Sequence, residues 1–388
     1  MTIGTPRPFE ICWDTGRIAA LKADVTRVVL PPAPAGCGWS LGCDRDFLER
    51  FRAYWLDGYD FAAAQAELNA HRQYLVEIDG LDIHYVMIRS EAATPRPLLI
   101  THGWPGSHHE FWSAADRLAF PSRYGGSPLD AFDIVLPSLP GYGYSAKPAR
   151  PIGPKTVAGM WHRLMTEVLG YPYYLAQGGD WGSIVTSIMG LDAPQGLRAI
   201  HLNMSGLRSE AAAQTAEEAE WMTRNAAALA EKGAYARLNA TKPMSLAWLA
   251  AGNPLGQAAW ILERFHDWSD LRDTNLEAVY GLDHLCTNVM LYVMTDSFAT
   301  AAWMYNGRVS EGGNYLAPDQ KCMVPTGFAR FPMDGVQPPP PRSWIERLYN
   351  VVHFSEPARG GHFAAMEVPD AFAADVVAWG RSVWPVSG

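Results

Sequence analysis

The stretch YYLAQGGDWGS, residues 173–183, decides how the rest of the sequence is interpreted. It begins with an aromatic and apolar run, passes three glycines, and continues into IVTSIM at residues 184–189. This order predicts a buried strand, a very tight turn and a helix. The pattern Gly178-x-Asp180-x-Gly182 has the spacing of a nucleophile elbow, in which small neighbours leave one side chain exposed on the turn. On spacing alone, the simpler interpretation is that Asp180 caps the helix, because Asp is a favoured N-cap residue.

The composition predicts a large folded protein and excludes several classes of partner. Of 388 residues, 48% are hydrophobic and 18% are charged, so a substantial core is expected. The net charge of −9 argues against a nucleic-acid partner, which requires a basic surface. Five cysteines without a CxxC pair indicate a reducing compartment. No secretory signal and no apolar run of about 18 residues or more is present, so we expect a soluble, cytoplasmic protein without a membrane anchor.

One segment formally matches a cofactor-binding pattern. Residues 141–146, GYGYSA, fit the dinucleotide fingerprint GxGxxG/A. Lys147, Pro148 and Pro151 follow at once, so no helix N-terminus is available to hold a pyrophosphate. We therefore predict neither a cofactor nor a metal ion.

The order of elements predicts an α/β fold with a mostly parallel sheet flanked by helices. A hairpin signature, IDGLDIH, occupies residues 78–84. Apolar runs at residues 97–101, 132–137 and 198–204 alternate with helical stretches around the elbow, as expected of buried parallel strands. Two further strands are predicted to end at Phe331 and Phe354.

The same order divides the chain into four segments. Residues 1–72 are rich in proline and carry two amphipathic helices, so we predict that they do not begin the sheet but form an arm that packs on the core and the lid. Residues 73–205 form the first part of the core, and residues 206–320 form a helical insertion expected to be a lid over the site. Residues 321–388 complete the core.

Three residues in separate segments have the chain order of the α/β-hydrolase triad. Asp180 takes the place of the nucleophile, and Asp334 and His362 follow on loops after late strands, as acid and base. Singly, Asp334 and His362 each stand beside glycine and have an ordinary explanation as turn residues. Three correct positions in one strand–loop pattern are harder to explain by coincidence.

A fourth segment supports this assignment. HGWP, residues 102–105, lies where this fold places the second oxyanion-hole donor, after an early strand. The backbone N–H groups of Trp104 and Trp181 would hold the oxyanion. The residues predicted to support the motif are His102, Gly103, Pro105, Gly178 and Gly182.

The aspartate in place of serine decides the chemistry. A carboxylate is a poor acyl-transfer nucleophile, but it can displace a leaving group from saturated carbon and form an alkyl ester. Water deprotonated by His362, with Asp334 orienting the imidazole, would then attack the ester carbonyl of Asp180. The substrate is therefore expected to be an epoxide or a halide.

The chain resembles the microsomal-type epoxide hydrolases over nearly its whole length. The shared motifs are DGYD (57–60), IDGLDIH (78–84), HGWPGS (102–107), GGDWG (178–182), FPxD (331–334) and GGHF (360–363). The resemblance implies an α/β-hydrolase fold with a helical lid and a wrapping arm, and the triad roles given above. It departs at the N-terminus, because the mammalian members have a membrane anchor and we expect none here.

The resemblance also implies that two lid tyrosines activate the epoxide oxygen. Tyr235, in AYA at residues 234–236, matches the first, and Tyr305, after WM at residues 303–304, matches the second. The alternative is that both are ordinary lid packing, since buried tyrosines commonly serve cores.

Two other functions stay open at this point. A haloalkane or haloacid dehalogenase of the same fold would also use an aspartate on the elbow, and a catalytically silent member would bind ligands only. The expected partners are a small-molecule epoxide and water. The aromatic lid favours an apolar or aromatic substrate. A homodimer would be a common oligomeric state, but nothing in the sequence selects it.

Overall fold

The computed structural model describes residues 2–317 and 320–384. The strands are β1 (Arg7–Phe9), β2 (Arg72–Ile78), β3 (Leu81–Ile88), β4 (Arg96–Thr101), β5 (Phe132–Pro137), β6 (Tyr174–Gly178), β7 (Leu197–Leu202), β8 (Cys322–Ala329) and β9 (Tyr349–Ser355). They form one nine-stranded sheet in the order β1-β2-β3-β5-β4-β6-β7-β8-β9. The pairs from β5 to β9 are parallel, and β1, β2 and β3 extend the sheet antiparallel. The predicted α/β class is confirmed.

Helices cover both faces of the sheet and its carboxyl edge. They are, in the arm, α1 (Thr15–Arg27), α2 (Arg45–Ala53) and α3 (Phe61–Leu68); in the core, α4 (Trp112–Ala119), α5 (Pro154–Arg163) and α6 (Asp180–Asp192); in the lid, α7 (Ala216–Lys232), α8 (Ala234–Thr241), α9 (Pro243–Ala250), α10 (Pro254–Trp268), α11 (Leu276–Val293), α12 (Phe298–Ala301) and α13 (Trp303–Ser310); and again in the core, α14 (Arg342–Leu348), α15 (Ala364–Glu367) and α16 (Pro369–Val383). Within residues 2–317 and 320–384, none of these helices combines the length and the apolar character needed to cross a bilayer.

The central strands are buried on both faces, which fixes where the core lies. Every residue of β4 and of β5 is buried. Helices α4 and α16 pack together on one face, and α5 and α6 pack on the other. Parallel strands that are covered on both sides have continuous apolar sequences, so these strands could be predicted from the sequence.

Two expectations about residues 1–72 are wrong. The arm does enter the sheet, because β1 pairs with β2 at the edge, with Pro8 opposite Tyr74. Proline lacks a backbone donor, so an edge strand is the place where a sheet tolerates it. The arm also has three helices rather than two. Only Leu21 and Val25 of α1 are buried. A helix that buries so few residues needs few regularly spaced apolar positions, so its pattern in the sequence is weak.

The arm contacts lid helix α11 through two tyrosine hydroxyls. Tyr59 and Thr287 share a hydrogen bond of 2.9 Å between their hydroxyl oxygens. The Tyr54 hydroxyl donates to Asp283 at 2.7 Å. These contacts join segments more than 200 residues apart in the chain. The arm therefore ties the lid to the rest of the molecule.

Candidate active site

The elbow between β6 and α6 presents Asp180 on a strained turn. Asp180 has a φ of +46°, a left-handed conformation that is rare for a residue with a side chain. A Cβ on Gly178 would lie 2.2 Å from the carbonyl carbon of Gly182, and a Cβ on Gly182 would lie 1.9 Å from the Thr101 oxygen. The N-cap position of α6 is Gly179, and no side chain caps the helix. The interpretation of Asp180 as an N-cap residue is therefore wrong.

The loop after β4 touches the Asp180 carboxylate. The backbone N–H of Trp104 donates to Asp180 Oδ1 at 2.8 Å. A Cβ on Gly103 would lie 2.2 Å from the same oxygen, so only glycine fits there. The N–H of Trp181 belongs to the first turn of α6, where N–H groups have no acceptor within the helix. Of the two N–H groups predicted for an oxyanion hole, that of Trp104 contacts the carboxylate, and that of Trp181 follows Asp180 directly in the chain.

His362 lies between the carboxylates of Asp334 and Asp180. Its Nδ1 is 3.1 Å from Asp334 Oδ1, and its Nε2 is 3.5 Å from Asp180 Oδ2. Burial disfavours a charged ring, but the two carboxylates outweigh it and raise the pKa of His362 well above its ordinary value. The structure therefore brings together three residues from distant segments, and it places an imidazolium between two carboxylates.

The two predicted lid tyrosines, Tyr235 and Tyr305, both lie close enough to Asp180 to interact with its charge. Tyr235 stacks on Trp104 with ring centroids 5.3 Å apart, and Tyr305 meets the Trp181 ring edge-to-face at 4.6 Å. Their own rings are 5.9 Å apart. Burial is the largest cause that raises the pKa of both phenols, and the charge of Asp180 raises it further. Both hydroxyls therefore stay protonated at neutral pH and can donate.

Two of the motif residues have structural contacts. The Leu139 N–H donates to His102 Nε2 at 3.1 Å, and burial lowers the pKa of His102 to about 4, so its ring is neutral. The Pro105 carbonyl accepts from Asn288 Nδ2 of α11 at 2.9 Å. These contacts fix the loop whose Trp104 N–H reaches Asp180.

Sequence reasoning missed Trp268, at the end of α10. Its ring centroid is 5.1 Å from that of His362 and 5.2 Å from that of Tyr235. Its carbonyl also accepts the His362 N–H at 2.8 Å. The lid therefore touches the histidine as well as the tyrosines. One tryptophan among fifteen carries no sequence signal.

Two partly buried carboxyls that interact with His362 were also missed. Burial raises the pKa of Glu110 to about 8, with Asp180 adding to the shift and His362 opposing it. Burial likewise raises the pKa of Glu367 to about 7. Glu110 also lines a cavity of about 430 Å³ at the junction of arm, core and lid. The only available signal was the short distance in sequence from HGWP to Glu110.

No metal centre accompanies this group in the described ranges. Among residues 2–317 and 320–384, no three His, Cys, Asp or Glu side chains are arranged to hold a metal ion.

Comparison with known proteins assigns the family. The model described as "Epoxide hydrolase N terminus" matches residues 6–111, and that of the alpha/beta hydrolase fold matches residues 96–294. "Epoxide hydrolase 1" of Oryctolagus cuniculus is 30% identical over 402 residues, which cover 95% of this chain and 87% of the relative. The chain belongs to the epoxide hydrolase family.

Other relatives agree with this membership. A Stigmatella aurantiaca (strain DW4/3-1) protein that carries an epoxide hydrolase name is 36% identical over 371 residues, covering 94% of this chain and 82% of the relative. The structure of Aspergillus niger epoxide hydrolase superposes with a TM-score of 0.84 at 31% identity, covering 98% of this chain and 97% of that one. These relatives do not favour the dehalogenase or the ligand-binding alternative. The chain is an epoxide hydrolase.

The close contact at Gly103 leads to a first prediction for this epoxide hydrolase. Gly103→Ala should slow epoxide turnover by about 10²-fold, because its methyl group would displace the Asp180 carboxylate and a shift of about 1 Å is enough for such a loss. Steady-state turnover of styrene oxide measures it.

Gly159→Ala on α5 is the matched control. Nothing lies within 4 Å of the added Cβ, so turnover should stay normal and the helix should gain about 0.5–1 kcal/mol. Normal turnover in Gly103→Ala would contradict the assigned geometry.

Proposed function

We propose that this epoxide hydrolase converts apolar or aromatic epoxides to vicinal diols through an alkyl ester on Asp180. One observation carries the proposal: a strained elbow exposes a carboxylate whose Oδ1 accepts the Trp104 N–H and whose Oδ2 faces His362. The two lid phenols pack on Trp104 and Trp181 and can supply a proton to the opening ring. Aromatic walls around this space favour an apolar substrate.

In the first step, Asp180 Oδ2 attacks a ring carbon of the epoxide. This oxygen is free of backbone contacts, whereas Oδ1 is held by Trp104. The carbon–oxygen bond of the ring breaks, and its electron pair goes to the ring oxygen. An alkoxide is too basic to leave unaided, so Tyr235 and Tyr305 hydrogen-bond to the oxygen and one of them gives it a proton.

Ester formation then changes His362 from an acid into a base. In the resting enzyme, two carboxylates hold a proton on the imidazole. Alkylation removes the negative charge of Asp180, so the pKa of His362 falls. His362 then gives its proton to the phenolate, which becomes a neutral phenol again. Neutral His362, oriented by Asp334, can then deprotonate water.

The second step returns the enzyme to its resting state. Hydroxide adds to Cγ of Asp180, and the N–H groups of Trp104 and Trp181 hold the negative charge on Oδ1. The Cγ–Oδ2 bond breaks, and the departing diol takes the proton from His362. The water oxygen remains on Asp180, whose new acid proton passes to His362.

We assign to Glu110 the task of holding the attacking water, because it lines the cavity and also interacts electrostatically with Asp180 and His362. Its pKa of about 8 keeps the carboxyl largely protonated at neutral pH, so it can both donate and accept a hydrogen bond. It also lines the cavity at the arm, core and lid junction. We assign this cavity to water supply.

The arm, residues 1–72, clamps the lid, residues 206–320, over the two parts of the core, residues 73–205 and 321–388.

A single-turnover experiment in ¹⁸O-water tests the ester intermediate. With enzyme in excess over styrene oxide, the oxygen added to the first diol should come from Asp180 and be unlabelled, because Oδ2 leaves with the product. Diol from later turnovers should carry the label. Fully labelled diol in the first turnover would show direct attack of water and overturn the proposal.

A further inference from the structure

Lid helix α10 carries a buried arginine that the mechanism above does not use. Arg264 is only 6% exposed. Its guanidinium carbon lies 5.4 Å from the ring centroid of Tyr235 and 5.8 Å from that of Trp268. A guanidinium this close to an aromatic face is attracted by the ring, and the attraction increases when water is excluded. The guanidinium therefore lies over the ring of Tyr235, one of the two phenols.

The two phenols differ in their surroundings. Burial raises the pKa of Tyr235, and the charge of Arg264 lowers it. Tyr305 is flanked by the rings of Trp181 and Trp104, at 4.6 and 6.0 Å. Arg308, on the same helix as Tyr305, donates to Asn314 Oδ1 at 2.9 Å and also interacts electrostatically with Tyr305 and Tyr235. A phenolate at Tyr235 would thus meet a guanidinium stacked on its own ring, whereas the rings in contact with Tyr305 are the two indoles and Tyr235 itself.

We propose that Arg264 is a positioning residue that makes Tyr235, rather than Tyr305, the phenol that gives its proton to the opening epoxide. The inference rests on the proposed function, in which both phenols contact the ring oxygen. As the ring opens, the Tyr235 O–H bond breaks, its proton joins the alkoxide, and the negative charge left on Tyr235 is stabilised by the guanidinium. Tyr305 stays protonated and donates a hydrogen bond only.

Two carboxylates and one lysine also surround Arg264, whose guanidinium remains close to the Tyr235 ring. Glu263 and Asp267, on the same helix, pair with the guanidinium, and the Asp267 oxygen is 3.6 Å away. Lys232 of α7 interacts in turn with Asp267. The carboxylates pair with one guanidinium nitrogen, and the guanidinium carbon lies over the rings of Tyr235 and Trp268. The negative charge of Asp180 disfavours a phenolate at Tyr235. That charge is lost on alkylation, at the moment when the phenolate forms.

The test measures the alkylation rate with excess enzyme and styrene oxide, followed by tryptophan fluorescence. Arg264→Met keeps most of the aliphatic stem and removes the charge, so alkylation should slow by about 10–30-fold. The same change should cost about 10–30-fold on the Tyr305→Phe background and less than about 2-fold on the Tyr235→Phe background. Ester hydrolysis should be unchanged in each case.

Two controls separate charge from packing. Arg264→Lys keeps a cation without the stacked plane and should recover at least half of the lost activation free energy, which a purely structural arginine would not allow. Arg224→Met removes a lid cation that is 51% exposed and paired with Glu220 at 3.8 Å, and its alkylation rate should match the unmodified enzyme.

The failures are distinguishable. If Tyr235→Phe alone leaves alkylation unchanged, the phenol assignment itself is wrong and this inference falls with it. If Tyr235→Phe slows alkylation but Arg264→Met does not, or costs the same on both phenylalanine backgrounds, only the inference is overturned. If Arg264→Lys recovers none of the lost alkylation rate, the inference is also overturned.

Discussion

His362→Gln is expected to trap the enzyme as an alkyl ester on Asp180. The substitution removes the base that activates water but leaves the nucleophile and both phenols in place. The second step should therefore slow by about 10²–10⁴-fold, the usual contribution of a general base. Intact-protein mass spectrometry after incubation with styrene oxide should show a gain of one substrate mass, and peptide mapping should locate it on Asp180.

A second histidine–aspartate pair supplies the control. His353 Nε2 lies 2.8 Å from Asp375 Oδ1, between β9 and α16. His353→Gln disturbs a similar contact away from the elbow, so the protein should turn over epoxide normally and accumulate no adduct. If His362→Gln loses turnover without gaining mass, His362 is required before the ester forms and the assigned order of steps is wrong.

The double change Tyr235→Phe, Tyr305→Phe is expected nearly to abolish alkylation. Each phenylalanine keeps the ring that packs on Trp104 or Trp181 and removes only the donor. Each single change should slow alkylation by about 10–10³-fold, in the range for lost acids and oxyanion donors. Burst-phase fluorescence with excess enzyme measures the step, and the melting temperature should barely move.

Tyr59→Phe is the matched control for these tyrosines. The Tyr59 hydroxyl shares a buried hydrogen bond with Thr287 between the arm and α11. Its loss should cost about 1 kcal/mol of stability and leave alkylation unchanged. A double lid variant with near-normal epoxide turnover would rule out the tyrosine assignment and make a halide substrate worth testing again.

The elements of the core were predictable because their signals are local. Continuous apolar runs marked β4 and β5, and the spacing of Gly178, Asp180 and Gly182 marked the elbow. The arm was less predictable. Strand β1 has three residues, one of them proline, and is a strand only because β2 offers it an edge. Three residues carry too little periodicity to be recognised alone.

The sequence alone determined the nucleophile, the acid and the base as candidates, because parallel strands bring the loops at their carboxyl ends together. Tertiary structure alone decided what surrounds them. Trp268 touches His362, and Arg264 lies behind Tyr235. Gly361 must be small because a Cβ there would lie 2.6 Å from the Trp268 carbonyl oxygen. Such contacts join residues 29 to 94 positions apart and arise from close packing within the lid and of the lid on the core, which leaves no short-range pattern in the chain.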